Sequence, residues 1–429
     1  MKALRRRGVL AGTAWATFGL ATGAAVGTAA GSAYGGRPGQ SSGPLSGRLV
    51  DAAAFGAIGD GRNDDTLALQ RALEAAVADR NGGTLVIPPG DYRVTRPLRI
   101  ETRDRPAGNI TRACAIQAQG ARIVSAIRSA DPVLEIVSNS VVRFLRIDGL
   151  EIQGNGTEGH GLVLTCLRRG RYIYNFSLRD VIVQGCGGDG CRMTGNVFEG
   201  QVFNSYFRDN GGNGVTLSHG PEDTVLSAVH FYGCVFGGNR VHGVAMIEGA
   251  EDVGFNGCYF LLNGKYGLSA DRGCTLLVHC GFENNHRLAD GFENGDAGMR
   301  LMVRGTLIGC TAYSIYNQTH LVRAYVTDQL VMVGCTGRGG GGARRAGLAV
   351  IKGQRGSRAE LVGCVGRVDP DGDDVAIAAS GSGGRFGGKW DSDDLLRIGD
   401  HRLWVDRRGR LRIKAGSPSS DDDGSPING

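Results

Sequence analysis

Four segments of this chain align with one another without gaps: Asp180–Gly190 (DVIVQGCGGDG), Asn204–Gly214 (NSYFRDNGGNG), Gly233–Gly243 (GCVFGGNRVHG) and Gly257–Gly267 (GCYFLLNGKYG). The first interval, from Asp180 to Asn204, equals the third, from Gly233 to Gly257; the middle one is slightly longer. Each segment holds a short apolar run, a polar or Gly-rich turn, then a variable residue and a Gly that opens the next apolar run. A unit of this size cannot bury its apolar side alone; it must stack on its neighbours. The period therefore predicts a solenoid of short strands, one repeat per coil.

Two columns follow from that stacking. Asn210, Asn239, Asn263 and Asn285 recur at one turn, where Asn tolerates positive φ and can hydrogen-bond its counterparts in adjacent coils. Cys234, Cys258, Cys280, Cys310, Cys335 and Cys364 recur about once per repeat, mostly after Gly. Metal or redox chemistry is one reading of that row. A metal site needs ligands converging on one point, though, and these are strung along an axis, so the row reads as small buried thiols. Cys186 and Cys191 are close enough in sequence to pair, and a buried fate is the other reading.

The stretch Leu49–Val94 has a different character. Asp64, Asp65 and Thr66 can cap a helix, which the stripe Leu69, Ala72, Leu73, Ala76 and Val77 makes amphipathic. Asn81-Gly82-Gly83 stops it, and a strand Thr84–Ile87 follows, ended by Pro88-Pro89-Gly90. Such a helix must lay its stripe on a larger β structure. The string F-G-A-x-G-D-G-x-x-D-D-T-x-A-x-Q from Phe55, with G-G-T-x-x-x-P-P-G-x-Y from Gly82, resembles the N-terminal segment of pectin-lyase-like right-handed β-helix proteins. The closest groups by pattern are the rhamnogalacturonase and epimerase-like pectate lyases and phage tailspike-type depolymerases. The resemblance implies an all-β right-handed parallel β-helix with an N-terminal capping α-helix. It implies no chemistry in the cap itself.

The expected organisation is a signal peptide over residues 1–33, a flexible lead-in over 34–48, and the β-helix with its cap over 49–370. A Gly/Asp/Ser-rich linker over 371–395 and a C-terminal β-hairpin tail over 396–429 complete it. His286–Ala297 and Arg338–Ala346 break the period as loops. Arg6-Arg7-Gly8-Val9-Leu10, the apolar run behind it and Ala29, Ala30 and Ala33 fit a twin-arginine export signal, with a general secretory signal as the alternative. No other apolar run is long enough to span a bilayer. The formal net charge of +6 includes Lys2, Arg5, Arg6 and Arg7 of that signal, so the mature chain carries too little positive charge for a nucleic-acid partner.

Chemistry is harder to place. Gly159-His160-Gly161 matches a motif of pectin-cleaving hydrolases, but His160, Asp189, Asn213, His242 and Tyr266 all precede the Gly that restarts a strand. His160 is thus one instance of the repeat. The hydrolases' acidic motifs do not precede it, and the Asp-Pro-His-Glu motif of β-helix epimerases is absent. Asp189 and His242, two coils apart, would stand about 10 Å from each other, as candidate catalytic groups or as plain turn residues. Glu222-Asp223 and Glu251-Asp252 are acidic pairs set apart by the same interval as Asn204 and Gly233, with His219 beside the first. Stacked, they would make a four-carboxylate cluster suited to glycoside hydrolysis or, in a lyase, to Ca²⁺; the other reading is a solvated loop.

These features point to an exported enzyme acting on a pectin-like or other acidic polysaccharide, as a glycoside hydrolase or a polysaccharide lyase. No cofactor is expected unless it is a lyase that uses Ca²⁺. The alternative is a non-catalytic carbohydrate-binding or structural surface β-helix. Tailspike-type relatives form trimers, and nothing in this sequence demands one.

Overall fold

The computed structural model describes residues 48–78, 82–102, 110–112, 115–220, 223–247, 249–271, 274–286, 297–314, 320–339, 347–354, 357–366, 368–370, 375–380, 396–398, 401–405, 411–415 and 423–426. The export segment, most of the expected linker, Glu222, Asn81 and most of the two period-breaking loops lie outside the described residues.

The chain forms a right-handed parallel β-helix. A 25-stranded sheet and an 11-stranded sheet enclose one continuous core. One coil runs through Tyr206–Arg208, Val215–Ser218 and Leu226–Tyr232; the next repeats it at Val235–Gly237, Val244–Ile247 and Val253–Asn256. Each strand pairs in parallel with its counterpart one coil on, as in Phe207↔Phe236↔Phe260↔Phe282. Those four Phe rings stack inside the helix with centroids 5.8, 4.9 and 4.5 Å apart. Aromatic stacking adds to their burial.

Three columns of left-handed residues turn each coil. The first is Gly149, Asp180, Asn204, Gly233, Gly257, His279, Gly309, Gly334 and Gly363, with φ between 47° and 73°. It explains why Gly so often precedes the cysteines: a corner there needs positive φ, which Gly adopts without a Cβ penalty. The second column, Gly185, Asp209, Gly238, Leu262 and Asn284, immediately precedes the asparagine row. The third, Phe144, Asn175, Glu199, Ala228 and Asp252, bends one face: Phe144 and Asn175 separate two short strands, whereas Glu199 and Ala228 lie within the strands Val197–Phe203 and Leu226–Tyr232. It ends where the strands Ala297–Ile308 and His320–Val333 run on unbroken.

The asparagine row is a ladder. Asn210, Asn239 and Asn263 each send their backbone N–H (3.2–3.3 Å) and side-chain Nδ2 (2.8–3.0 Å) to the Oδ1 of the next Asn, ending at Asn285. Cys186 occupies the preceding rung and donates its N–H to Asn210 Oδ1 at 3.1 Å. Its thiol cannot serve the rung before it, and the carboxylate of Glu158, 2% exposed, takes over: it accepts from the N–H groups of Asn155 (3.1 Å) and Gly187 (3.3 Å). The six cysteines of the second row are all buried and in no disulfide, each with Sγ 3.3–3.7 Å from a backbone carbonyl of the preceding coil. Hydrogen bonding to Cys258 and burial push Cys234 and Cys280 well above the ordinary thiol range.

The capping helix runs Thr66–Ala78 and buries Leu69, Ala72, Leu73 and Ala76; Val77 packs at the edge. Its motif is structural throughout. The buried Asp65 carboxylate accepts from the N–H groups of Ile58 (2.7 Å) and Gly59 (3.1 Å), and Asp64 from Thr66 (3.0 Å). Gly59, at φ +70°, lies so near the Tyr92 ring that a Cβ would come within 2.8 Å of it. At the other end, Ser357–Val362 pairs with Val375–Ser380, so the solenoid extends into the stretch read as linker. The tail is a four-stranded antiparallel sheet rather than a hairpin: Leu396–Ile398, His401–Val405, Leu411–Ala415 and Ser425–Pro426. None of the described helices is long and apolar enough to cross a membrane.

Candidate functional site

The row His160, Asp189, Asn213, His242 and Tyr266 does stack, through backbone bonds of 2.9–3.0 Å from the Gly after each residue to the carbonyl one coil on. Its side chains face the backbone. His160 Nδ1 accepts from the Asp189 N–H (2.9 Å), Asp189 Oδ1 from Asn213 (2.8 Å), Asn213 Oδ1 from His242 (3.0 Å) and His242 Nδ1 from Tyr266 (3.2 Å). The second oxygen of Asp189, which is 5% exposed, accepts from Thr216 Oγ1 at 2.8 Å. Burial lowers the His160 pKa, opposed by Asp189 and reinforced by Arg192. Burial foremost, then the charges of Arg300, Lys265 and His286, bring His242 down to about 3. These groups serve as clamps between coils, each with its lone pair already engaged.

The acidic pairs do not stack as their spacing suggested. The coil between them is shorter than that spacing: Ser227 pairs with Glu251, which sets Asp252 opposite Ala228. Asp223 falls earlier in the coil, on the rim, where its largely exposed carboxylate lies 3.6 Å from Arg169. His219 packs its ring against Gly249, and its carbonyl accepts from Thr224 Oγ1 at 2.6 Å. Glu222 lies outside the described residues. Among the described residues no three His, Cys, Asp or Glu side chains converge to hold a metal, so the arrangement gives no support to a Ca²⁺ cluster.

Asp252 instead joins a different partner. On the face formed by Tyr172–Tyr174 with Ser177–Arg179, Val197–Phe203, Leu226–Tyr232 and Val253–Asn256, the third left-handed column carries Glu199, Ala228 and Asp252 on successive coils. Glu199 and Asp252 are both exposed, with φ of +53° and +49°. A left-handed Glu costs backbone energy that a solenoid corner does not require, since Gly or Asn would serve. Two coils separate their backbones by about 10 Å, and the small Ala228 leaves the space between them clear.

The surroundings suit a sugar chain. Gln201, His230 and Gly254 stand in register beside the carboxylates. The His230 ring rests on Gly254, where a Cβ would come within 2.5 Å of Nδ1. Aromatic rings lie on both sides: Phe198 with Tyr172 (5.3 Å) and Tyr174 (5.8 Å), and Phe203 with Tyr232 (5.1 Å). Arg143 sits 4.7 Å over Tyr174 and Arg179 sits 4.6 Å over Phe203. Glu199 and His230 were not singled out from the sequence. Carrying the repeat alignment a few positions upstream finds Asn175, Glu199, Ala228 and Asp252 at the same successive intervals as the four aligned segments.

Comparison with known proteins agrees with this architecture. Residues 49–140 match the family model described as Rhamnogalacturonase A/epimerase, pectate lyase-like, and residues 375–428 match one described as Capsule depolymerase. The mannuronan C5-epimerases AlgE6 and AlgE5 of Azotobacter vinelandii are each 56% identical over 41 residues, 10% of this chain. That match spans only 5% and 4% of those curated relatives. Among solved structures, ORF18 of Geobacillus virus E2 superposes with a TM-score of 0.55 at 20% identity, over 85% of this chain and 66% of that one. The catalytic unit of a GH87 alpha-1,3-glucanase from Streptomyces thermodiastaticus gives 0.52 at 15% identity, over 82% and 70%. At such identities the likeness is one of fold. With the capping motif, the stacked coils and the family model matched over residues 49–140, the fold is that of the pectin-lyase-like right-handed parallel β-helix proteins.

Proposed function

We propose that this chain is an exported polysaccharide-active enzyme that hydrolyses a glycosidic bond on the face around Glu199, Ala228 and Asp252. The observation that carries this reading is the exposed carboxylate pair, held two coils apart in strained corners with only Ala228 between. Glycoside hydrolysis needs two carboxyl groups: one protonates the departing oxygen and the other activates water or attacks the sugar. A backbone separation of about 10 Å lies near the wide arrangement that leaves room for a water. Gln201 and His230 offer hydrogen bonds to sugar hydroxyls, and the exposed Arg146 and Arg179 on the preceding coils favour an acidic chain. The capsule depolymerase likeness of residues 375–428 and the glucanase-like fold support a polysaccharide as the polymer.

The test is a screen of the purified chain on pectins, alginate and bacterial exopolysaccharides, reading both reducing ends and the near-ultraviolet absorbance of unsaturated uronate. Hydrolysis gives the first without the second. Glu199→Gln and Asp252→Asn should each lower the rate by about 10² or more, whereas Asp223→Asn on the rim should retain activity. Unsaturated product, or undiminished activity in both variants, overturns the assignment. One observation favours a second reading, a non-catalytic carbohydrate-binding β-helix: the Asp and His side chains of the 160–266 row are fully engaged in clamping coils. Binding with neither product would select it.

A further inference from the structure

The outer face of the 11-stranded sheet carries a pattern unrelated to the carboxylate face. Tyr206, Tyr259 and Tyr313 are 42%, 57% and 46% exposed, unusual for large aromatic side chains on a described strand. They occur on alternate coils. Tyr206 pairs with Val235, and Val235 with Tyr259; Tyr259 pairs with Gly281, and Glu283 on that strand pairs with Tyr313. Successive tyrosines are thus two coils, or about 10 Å, apart along the axis, with Tyr313 displaced by about 7 Å across it. In the tyrosine column the intervening coils carry smaller groups, the half-buried Val235 and Gly281, which has no side chain. A Cβ at Gly281 would lie 3.0 Å from two carbons of the Tyr259 ring, so that ring lies over Gly281 with its other side toward solvent.

We propose that this row is a binding platform for an extended, uncharged β-1,4-linked glycan lying along the helix axis. In such a chain alternate sugars present the same face, with a two-residue repeat that matches the spacing of the tyrosines. An aromatic ring backed by sheet and open on the other side takes the apolar face of a pyranose. The charge of the surface selects the ligand. Between Tyr206 and Tyr313 the outward side chains include one cation, Arg208, and one anion, Glu283. Arg208 is tied to Gln184 Oε1 at 2.8 Å and Glu283 to Asn284 at 3.2 Å. A balanced surface complements a neutral chain and gives a nucleic acid or an acidic polysaccharide nothing to neutralise. The platform lies on a different sheet from Glu199 and Asp252, so it stands whether or not those residues cleave anything.

The experiment uses the full chain carrying Glu199→Gln, so that cleavage cannot disturb binding. Native gels containing hydroxyethyl cellulose should retard it and gels containing dextran should not. Titration with cellohexaose should give a measurable Kd, weakened about three- to tenfold by Tyr206→Ala or Tyr259→Ala and retained in Tyr259→Phe. Because these side chains are exposed, the variants should keep the parent's circular dichroism. Absence of retardation, or retardation unchanged in the triple Tyr206, Tyr259, Tyr313→Ala variant, overturns the proposal. So does a triple variant that loses a self-associated state seen in the parent by light scattering, since the row would then be covered by a second copy.

Discussion

Asn239→Ala tests the ladder that holds the coils together. The Asn239 side chain, 1% exposed, makes four hydrogen bonds: its Oδ1 accepts from Asn210 N (3.2 Å) and Nδ2 (3.0 Å), and its Nδ2 donates to Phe207 O and Asn263 Oδ1 (both 3.0 Å). Two of the partners keep another bond after truncation: Asn210 Nδ2 still reaches Val183 O, and Asn263 Oδ1 still accepts from Asn239 N. The Phe207 carbonyl stays in the parallel ladder with Val235–Gly237, so the Asn210 N–H is the group that loses its partner inside the protein. At about 1–3 kcal/mol for a buried group left unsatisfied, the cost is about 1–3 kcal/mol. Asn256→Ala, at an exposed position on the same coil, should change stability by no more than about 0.5 kcal/mol. Urea unfolding compares the two. Native-state hydrogen exchange reads the lesion directly: protection of the Asn210 amide should fall by roughly two orders of magnitude for a loss near 3 kcal/mol. An Asn239→Ala midpoint equal to that of Asn256→Ala, with Asn210 still protected, would refute the account.

Three further outcomes follow from other parts of the molecule. Nine cysteines, from Cys166 to Cys364, stand in no disulfide, so denatured, non-reduced protein should titrate with at least nine thiols; markedly fewer would show disulfides. His242 is held neutral down to about pH 3, whereas an unfolded His takes up a proton near 6.5. The unfolded state therefore binds more protons over that interval, and stability falls as pH drops through it. His242→Gln, which can still accept from Tyr266, should flatten this acid limb by about one proton, and an unchanged slope would count against the burial argument. Replacing Arg6 and Arg7 by Lys should retain the chain in the cytoplasm if export uses the twin-arginine route; continued export would point to the general secretory route.

The repeat carries most of what is legible in the sequence. Positions that need a particular residue in every coil, such as Asn239 or the Gly before Cys258, leave a periodic trace because sheet geometry imposes the same demand each time. The capping helix was legible for a similar reason, since its stripe and its Asp65–Gly59 turn are local. The carboxylate pair was not, because Glu199 and Asp252 share a corner with Phe144, Asn175 and Ala228, where no common residue type marks the column. The acidic pairs misled because their interval equals the length of the coil before theirs. The end of the solenoid was also misread: Val375–Ser380 joins the sheet although the chain around it has the composition of a linker.

The two ladders run in opposite senses. In the asparagine row each rung accepts from the coil before it; in the His160–Tyr266 row each side chain accepts from the coil after it. Every coil between them is gripped from both directions by the same two side chains. Removing Cys234–Gly257 would join Gly233 to Cys258, restore the Gly-Cys corner, and bring Asn210 to Asn263 and Asn213 to Tyr266. The molecule can therefore lose or gain length in whole coils with its joints intact, much as a segmented rod does. Duplication or deletion of one gene segment of that size is then a structurally quiet event, and the number of coils becomes a variable open to selection.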